Sequence, residues 1–209
     1  MLLLVIDTTL AACQAAVMEA GRVLALRSEP MQRGHQERLA PLAAEVMRDA
    51  GIGFADLRRV AVTTGPGSFT GLRVGLAFAK GVALAREIPC VGVGTLEALA
   101  GSLPEGARTL AAIDAGRGQI YLQGFEAGRP LAPPEALDVE AAAARTAQLR
   151  PVRLAGSGAA LLAAAAPAAA VFPLDAPDPA AIGRLACGLK AAPPPAPIYL
   201  RAPDARLPQ

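Results

Sequence analysis

The sequence predicts an α/β protein of two lobes, each with a sheet of mixed strand direction. Three observations carry this: a β-meander opens the chain, helix and strand patterns alternate up to Leu103, and the opening pattern recurs after residue 105. A meander followed by helix, strand, helix and strand needs both antiparallel and parallel pairing. At 209 residues, one large domain or two small ones can bury most of the apolar surface.

Each element has its own signal. "LLLVID" (2–7) is an apolar run that stops at Asp7-Thr8-Thr9, and "ACQAAVMEA" and "RVLALRSEP" flank a hairpin turn at Ala20-Gly21-Arg22. After Pro30 the period changes. Leu39, Leu42, Ala43, Val46, Met47 and Ala50 fall on one face of a helix over 36–50, closed by Gly51. "LRRVAVTTG" then reads as a strand, "SFTGLRVGLAFAKGVALARE" as a helix, "PCVGVG" as a strand and "TLEALAGSL" as a helix. Residues 5–24 and 112–131 align without gaps, with seven identities that include Asp7 with Asp114 and the Glu-Ala-Gly-Arg of the hairpin. Two lobes of similar topology therefore meet near residue 105. "RLAGSGAALLAAAA" reads as strand, Gly-x-Gly turn and helix, whereas "APPPAPIYLRAPDARLP" is too irregular for either element.

Composition narrows the function. Hydrophobic residues are 53% of the chain, with only five Phe, two Tyr and no Trp, which predicts closely packed small side chains. A net charge of +2 supplies no general attraction to nucleic acid or anionic membrane. The apolar opening lacks a basic leader and meets an acidic residue at Asp7, so it reads as a buried strand rather than a signal peptide or membrane span. Cys13, Cys90 and Cys187 are widely spaced and odd in number, which suits reduced thiols in a cytoplasmic protein.

"TTGPGSFTGLRVGLAFAKG" (63–81) is the densest run of glycines and the first candidate site. A Walker A loop ends in Gly-Lys-Ser/Thr because the lysine reaches the β- and γ-phosphates. Here Leu72 and Arg73 follow Gly71, which excludes that loop; the run is read as a tight turn with Ser68 as N-cap, the alternative being an anion held on its backbone N–H groups. Gly71, Gly75, Ala79 and Ala83 then form a ridge almost without side chains. Glycine inside a helix costs about 1 kcal/mol relative to alanine, so close packing of a neighbour must compensate. The ridge can pack on a helix of the same lobe, but Leu72, Leu76, Phe78 and Val82 make the helix apolar on more than one side, which favours burial against both its own sheet and a second chain. Asp7 and Asp114 end matched strands, where a carboxylate can orient magnesium-bound water or serve a turn. The single histidine, His35, excludes a two-histidine metal site within the chain and reads as a helix-end residue.

These motifs resemble a known family. "LLLVIDTT", the His-x-Glu at His35–Glu37, "GPGSFTGLRVGLAFAKG", "GVGTLEALA", "AIDAGRGQIY" and the terminal "PIYLRAPDARLP" are similar to the bacterial tRNA threonylcarbamoyladenosine biosynthesis proteins of TsaB type. The match reaches both ends of the chain, and 132–192 fits poorly. The resemblance implies an actin, sugar kinase and Hsp70-like fold of two ribonuclease-H-like lobes: residues 1–105, carrying the dimerisation helices, and 106–209, ending in a Pro-rich tail. It further implies a cytoplasmic, non-catalytic partner of TsaD, the homologue that transfers a threonylcarbamoyl group to adenosine 37 of tRNA. In TsaD a His-x-x-x-His helix binds metal, whereas Leu39 stands four residues after His35 here. No catalytic or metal-binding residue is therefore expected.

The resemblance places a partner interface on the helices 36–50 and 69–85, carried by Leu39, Leu42, Val46, Gly71, Leu72, Gly75, Leu76, Ala79 and Val82. The partner is TsaD, or a second copy when the protein is alone. The ATPase TsaE is reached through the complex and tRNA only indirectly. Asp7, Thr8, Thr9 and Asp114 stand where active members of the fold have phosphate turns. Leu10-Ala11-Ala12 follows the first turn, which leaves at most weak nucleotide binding; ATP is used by the complex. The competing reading is an independent kinase or peptidase of the same fold, with Asp7, Asp114 and "GSG" (156–158) as its chemistry. A direct tRNA-binding module is disfavoured by near-neutral charge and 3% aromatic content.

Overall fold

The computed structural model describes residues 1–190 and 193–201. Strand β1 (Leu2–Asp7) pairs antiparallel with β2 (Ala12–Glu19), which pairs with β3 (Arg22–Pro30). Strand β4 (Arg59–Thr63) runs parallel to β1, and β5 (Cys90–Val93) parallel to β4, giving the order β3-β2-β1-β4-β5. Helices α1 (His35–Asp49) and α2 (Phe69–Arg86) cover one face of this sheet over Leu4, Ile6, Val60 and Val62. β1 is apolar on both faces because both are covered.

The second lobe repeats the plan. Strands β6 (Thr109–Gly116), β7 (Gln119–Glu126), β8 (Arg129–Pro130), β10 (Arg153–Ala155) and β11 (Ala170–Phe172) lie in the order β11-β10-β6-β7-β8. β6 takes the place of β1, and β10 and β11 run parallel beside it as β4 and β5 do beside β1. The third meander strand is split, since β9 (Glu135–Asp138) also pairs with β7 after a break at Leu131–Pro134. Both hairpins turn through two left-handed residues, Ala20 and Gly21 (φ 49° and 82°) and Ala127 and Gly128 (φ 49° and 75°), which matches the strand twist of a tight hairpin. The ladders differ by one residue. Asp7 faces Gln14 but Asp114 faces Ile120, with an irregularity between Asp114 and Gly116.

Helices α4 (Val139–Leu149) and α5 (Ala159–Leu162) cover one face of the second sheet. The other face meets α3 (Thr95–Gly101), whose Leu96 and Leu99 pack with Ala111, Ile113, Tyr121 and Phe125. A first-half helix thus forms the core between the lobes.

The second sheet begins with β6 at Thr109, and the chain later returns to the first sheet. Helix α6 (Pro179–Gly188) returns to the first sheet, setting Ile182 and Ala186 against Leu3, Val5, Met18 and Ala61. Within residues 1–105, α1 and α2 cover one face and only Ala98 of α3 reaches the cluster on the other, so α6 completes that cover. Arg59 fastens the end of α6 by donating to the carbonyls of Ala186 (2.7 Å) and Leu189 (2.9 Å).

On the surface, Arg38 bridges β3 and α1 through two hydrogen bonds to Glu29 and two to Glu45, and Arg27 joins Asp49 and Glu45. The Arg38 guanidinium holds both glutamates below the usual carboxylate range. Arg38→Ala is expected to lower Tm slightly at low ionic strength. Wild type and variant should converge near 1 M salt, where the Debye length is about 3 Å, as a melting series in salt will read.

Cys13 and Cys90 are buried, and burial pushes both thiols up to about 11, while Cys187 is exposed. Because the thiolate is the reactive form, a native-state thiol titration should consume one equivalent at Cys187 and the other two only on unfolding.

Candidate functional site

Asp7, Thr8, Thr9 and the glycine run gather where β1, β4 and α2 meet, beside the second lobe. Asp7 ends β1 fully buried, and its Oδ1 accepts from Thr63 Oγ1 (2.5 Å), Thr9 Oγ1 (2.6 Å) and Thr9 N–H (3.1 Å). The Gln14 amide completes the group with its nitrogen 3.1 Å from Asp7 Oδ2 and 3.0 Å from Pro177 O, and its oxygen accepting from Ser28 Oγ. Burial raises the Asp7 pKa, opposed by the Thr63 and Thr9 donors and by nearby His35. His35 is the first residue of α1, and its buried Nε2 has no hydrogen-bond partner among the described residues.

The Thr8-Thr9 turn is bound to the start of α2. Thr8 Oγ1 donates to Gly71 O (2.7 Å), Ser68 N–H donates to Thr9 O (2.7 Å), and Thr95 Oγ1 donates to Thr9 Oγ1 (3.2 Å). Ser68 caps α2 as predicted, its Oγ accepting from Gly71 N–H at 3.2 Å. The glycine run is therefore a seat. A Cβ on Gly67 or Gly71 would collide with the carbonyl oxygens of Thr9 and Thr8.

A cleft of about 630 Å³ opens between the lobes, lined by Thr9, Leu10, Ala11 and Ser68 on one side and Asp114 and Ser157 on the other. Of the four predicted phosphate-turn residues, Thr9 and Asp114 line it; Asp7 and Thr8 are buried behind it. Asp114 is exposed, with its Oδ1 accepting from Gly116 N–H and its own N–H donating to Ser157 Oγ. The matched aspartates thus have different surroundings. Among the described residues no three His, Cys, Asp or Glu side chains converge as a metal site.

The predicted interface residues lie mostly inside their own lobe. Leu39, Leu42, Val46, Leu72, Leu76 and Ala79 are at most 4% exposed. They form the core between α1, α2 and the sheet, with half-buried Val82 against it. Gly71 and Gly75 face the sheet as well, since a Cβ on Gly75 would meet Thr8 Oγ1 at 2.5 Å. A side chain already enclosed by its own lobe has no surface to offer a second chain. The faces left open hold Ala40, Pro41 and Ala44 on α1 and Arg73, Ala77, Gly81 and Leu84 on α2.

Sequence reasoning missed the cleft's outer rim, formed by Phe69 with Ile198, Tyr199, Leu200 and Arg201 of the tail. Only the terminal motif hinted at it, and the motif beyond Arg201 lies outside the described residues.

Residues 28–170 match the family model described as TsaD, tRNA N6-adenosine threonylcarbamoyltransferase. The tRNA threonylcarbamoyladenosine biosynthesis protein TsaB of Escherichia coli (strain K12) is 40% identical over 124 residues, covering 58% of this chain and 53% of that protein. The chain thus spans about half the length of that relative. An uncharacterized protein of Mycobacterium tuberculosis (strain ATCC 25618 / H37Rv) is 34% identical over 212 residues, covering 97% and 93% of the two chains. A crystal structure of an uncharacterized Pseudomonas aeruginosa protein with similarity to peptidase YeaZ superposes with a TM-score of 0.79 at 28% identity, over 96% of this chain and 99% of that one. The two lobes of matched strand order form the actin, sugar kinase and Hsp70-like fold. With more than half its length inside the family model and named TsaB relatives beside it, the chain belongs to the TsaD family, in the company of its TsaB-type members.

Proposed function

We propose that the chain is a cytoplasmic, non-catalytic subunit of the machinery that makes N6-threonylcarbamoyladenosine in tRNA, and that it binds and activates a TsaD homologue. The observation that carries this is the Asp7-Thr8-Thr9 turn. All three side chains are spent on internal hydrogen bonds, and Asp7 lies behind the cleft rather than in it. A phosphate turn needs donors aimed at its ligand, and this one aims them at its own lobe.

The surface for the partner is the open face of α1 and α2. Ala40, Ala44, Ala77 and Gly81 are exposed small residues over which another helix can approach closely, and Leu84 is 82% exposed. A second copy takes this face when TsaD is absent. TsaE and tRNA join through the complex, and ATP is turned over by the assembly.

Reconstitution with the TsaD homologue tests the reading. Threonylcarbamoylation of tRNA should require this chain, which alone should neither hydrolyse ATP nor transfer the group. Ala77→Arg, on an exposed position, should leave stability within about 0.5 kcal/mol yet weaken association at least about tenfold, a change of 1.4 kcal/mol. Turnover by the chain alone, or full binding by Ala77→Arg, would overturn the assignment.

A further inference from the structure

The terminal motif has a physical role that the interface does not use. Residues 193–201 form neither helix nor strand, yet they are held at successive points. Pro195 lies over Gly92, where a Cβ would meet the Pro195 ring at 2.7 Å. Ile198 N–H donates to Thr64 O at 2.7 Å, and the Ile198 carbonyl lies over Gly65, 2.9 Å from where a Cβ would stand. Two glycines of the first lobe thus make room for the passing tail. The Tyr199 ring lies 5.4 Å from that of Phe69, and its hydroxyl accepts from Arg73 Nε at 3.1 Å, while the Arg73 guanidinium lies 3.7 Å over Phe69.

The chain then changes lobes. Leu200 packs into the cluster of Leu96, Leu99, Ile113 and Tyr121 between the sheets, and Arg201 Nη1 donates to Gln119 Oε1 of the second lobe at 3.4 Å. Ile198 to Arg201 also line the cleft. We propose that residues 195–201 are a strap that fixes the angle between the lobes and so sets the aperture of the cleft. The lobes already share the α3 core and the return of α6, which limit how far they can move, but neither lies among the residues that line the cleft's mouth. Here the tie runs from Thr64 and Phe69 on one lobe to Gln119 on the other, along the rim of the cleft.

Pulsed electron paramagnetic resonance tests this. In a Cys187→Ser background, Cys13 and Cys90 stay buried and unlabelled. Exposed Glu19 in the first lobe and Gln148 in the second are each replaced by Cys and carry nitroxides. The full chain, diluted with excess unlabelled protein so that only labels within one copy are read, should give one narrow interlobe distance. Ending the chain at Pro197, or the milder Tyr199→Ala, should at least double the width of that distribution. A control pair within the first lobe, Glu19 with Ala85, should not change. An unchanged interlobe width in a folded variant would overturn the strap. So would equal broadening of the control pair, which would mean that the tail only supports the first lobe. Should the truncated chain fail to fold, Tyr199→Ala decides by the same two criteria.

Discussion

Gly71→Ala is expected to destabilise the first lobe by at least the upper end of the 1 to 3 kcal/mol usual for overpacking, about 3 kcal/mol. In an ordinary helix this change gains about 1 kcal/mol. Here the added methyl meets the Thr8 carbonyl, a backbone group that cannot rotate away, and Thr8 is itself held by its hydrogen bond to Gly71 O. Gly81 in the same helix supplies the contrast, because a Cβ there meets nothing within 4 Å. Gly81→Ala should therefore show the ordinary gain. Urea unfolding of both variants reads the two signs, and a Gly71→Ala midpoint at or above wild type would mean that α2 is not seated on the turn. Gly75→Leu should act like Gly71→Ala, since its side chain points at Thr8, Val62 and Ile6. Loss of a partner in that variant would follow from an unfolded lobe, not from a blocked interface.

Asp7→Ala is expected to cost about 3 kcal/mol. It leaves the Thr63 and Thr9 hydroxyls and the Thr9 N–H without their acceptor in a fully buried place, and an unsatisfied buried group costs about 1 to 3 kcal/mol. The loss is less than the sum, because burying the carboxylate is itself unfavourable. Asp7→Asn keeps an acceptor and should cost less. The pH dependence has a definite sign. Burial raises the folded-state pKa above the ordinary aspartate value of 3.8, so the native state binds the proton more tightly. Stability at this site is then fully present below pH 3.8 and declines as pH rises through the folded pKa. Asp7→Asn, which does not titrate, should lack that decline. Parallel denaturation curves for the two proteins across this range would show the site not to titrate as described.

Much of the first lobe was legible in the sequence. The meander, the 3.6-residue period of α1 and the Ser68 cap lie where they were read, because each depends on neighbours within a few residues. The matched hairpins were also correct, since Gly21 and Gly128 take the left-handed conformation of the second turn position without strain. The stretch 132–192 was less readable for a physical reason. Helix α4, "VEAAAARTAQL", carries alanine on its open faces as well as at buried Ala142, and α6, "PAAIGRLACG", takes its burial from the first lobe's sheet, far away in sequence. The third strand of the second meander was hidden by Pro133 and Pro134, which split it.

By itself the sequence determined the strand and helix order of the first lobe, the repeat that makes two lobes, the absence of a Walker loop and the single histidine. Only the tertiary structure decided which surface each apolar face would meet. It turned the Gly71 and Gly75 ridge inward, brought α6 back across the first sheet, enclosed Asp7 while leaving Asp114 open, and laid the tail across the cleft. Periodicity states which residues share a face, but burial is non-directional and roughly proportional to area. A small-residue ridge is therefore satisfied equally by its own sheet or by another chain, until the whole chain is folded and one of them is nearer.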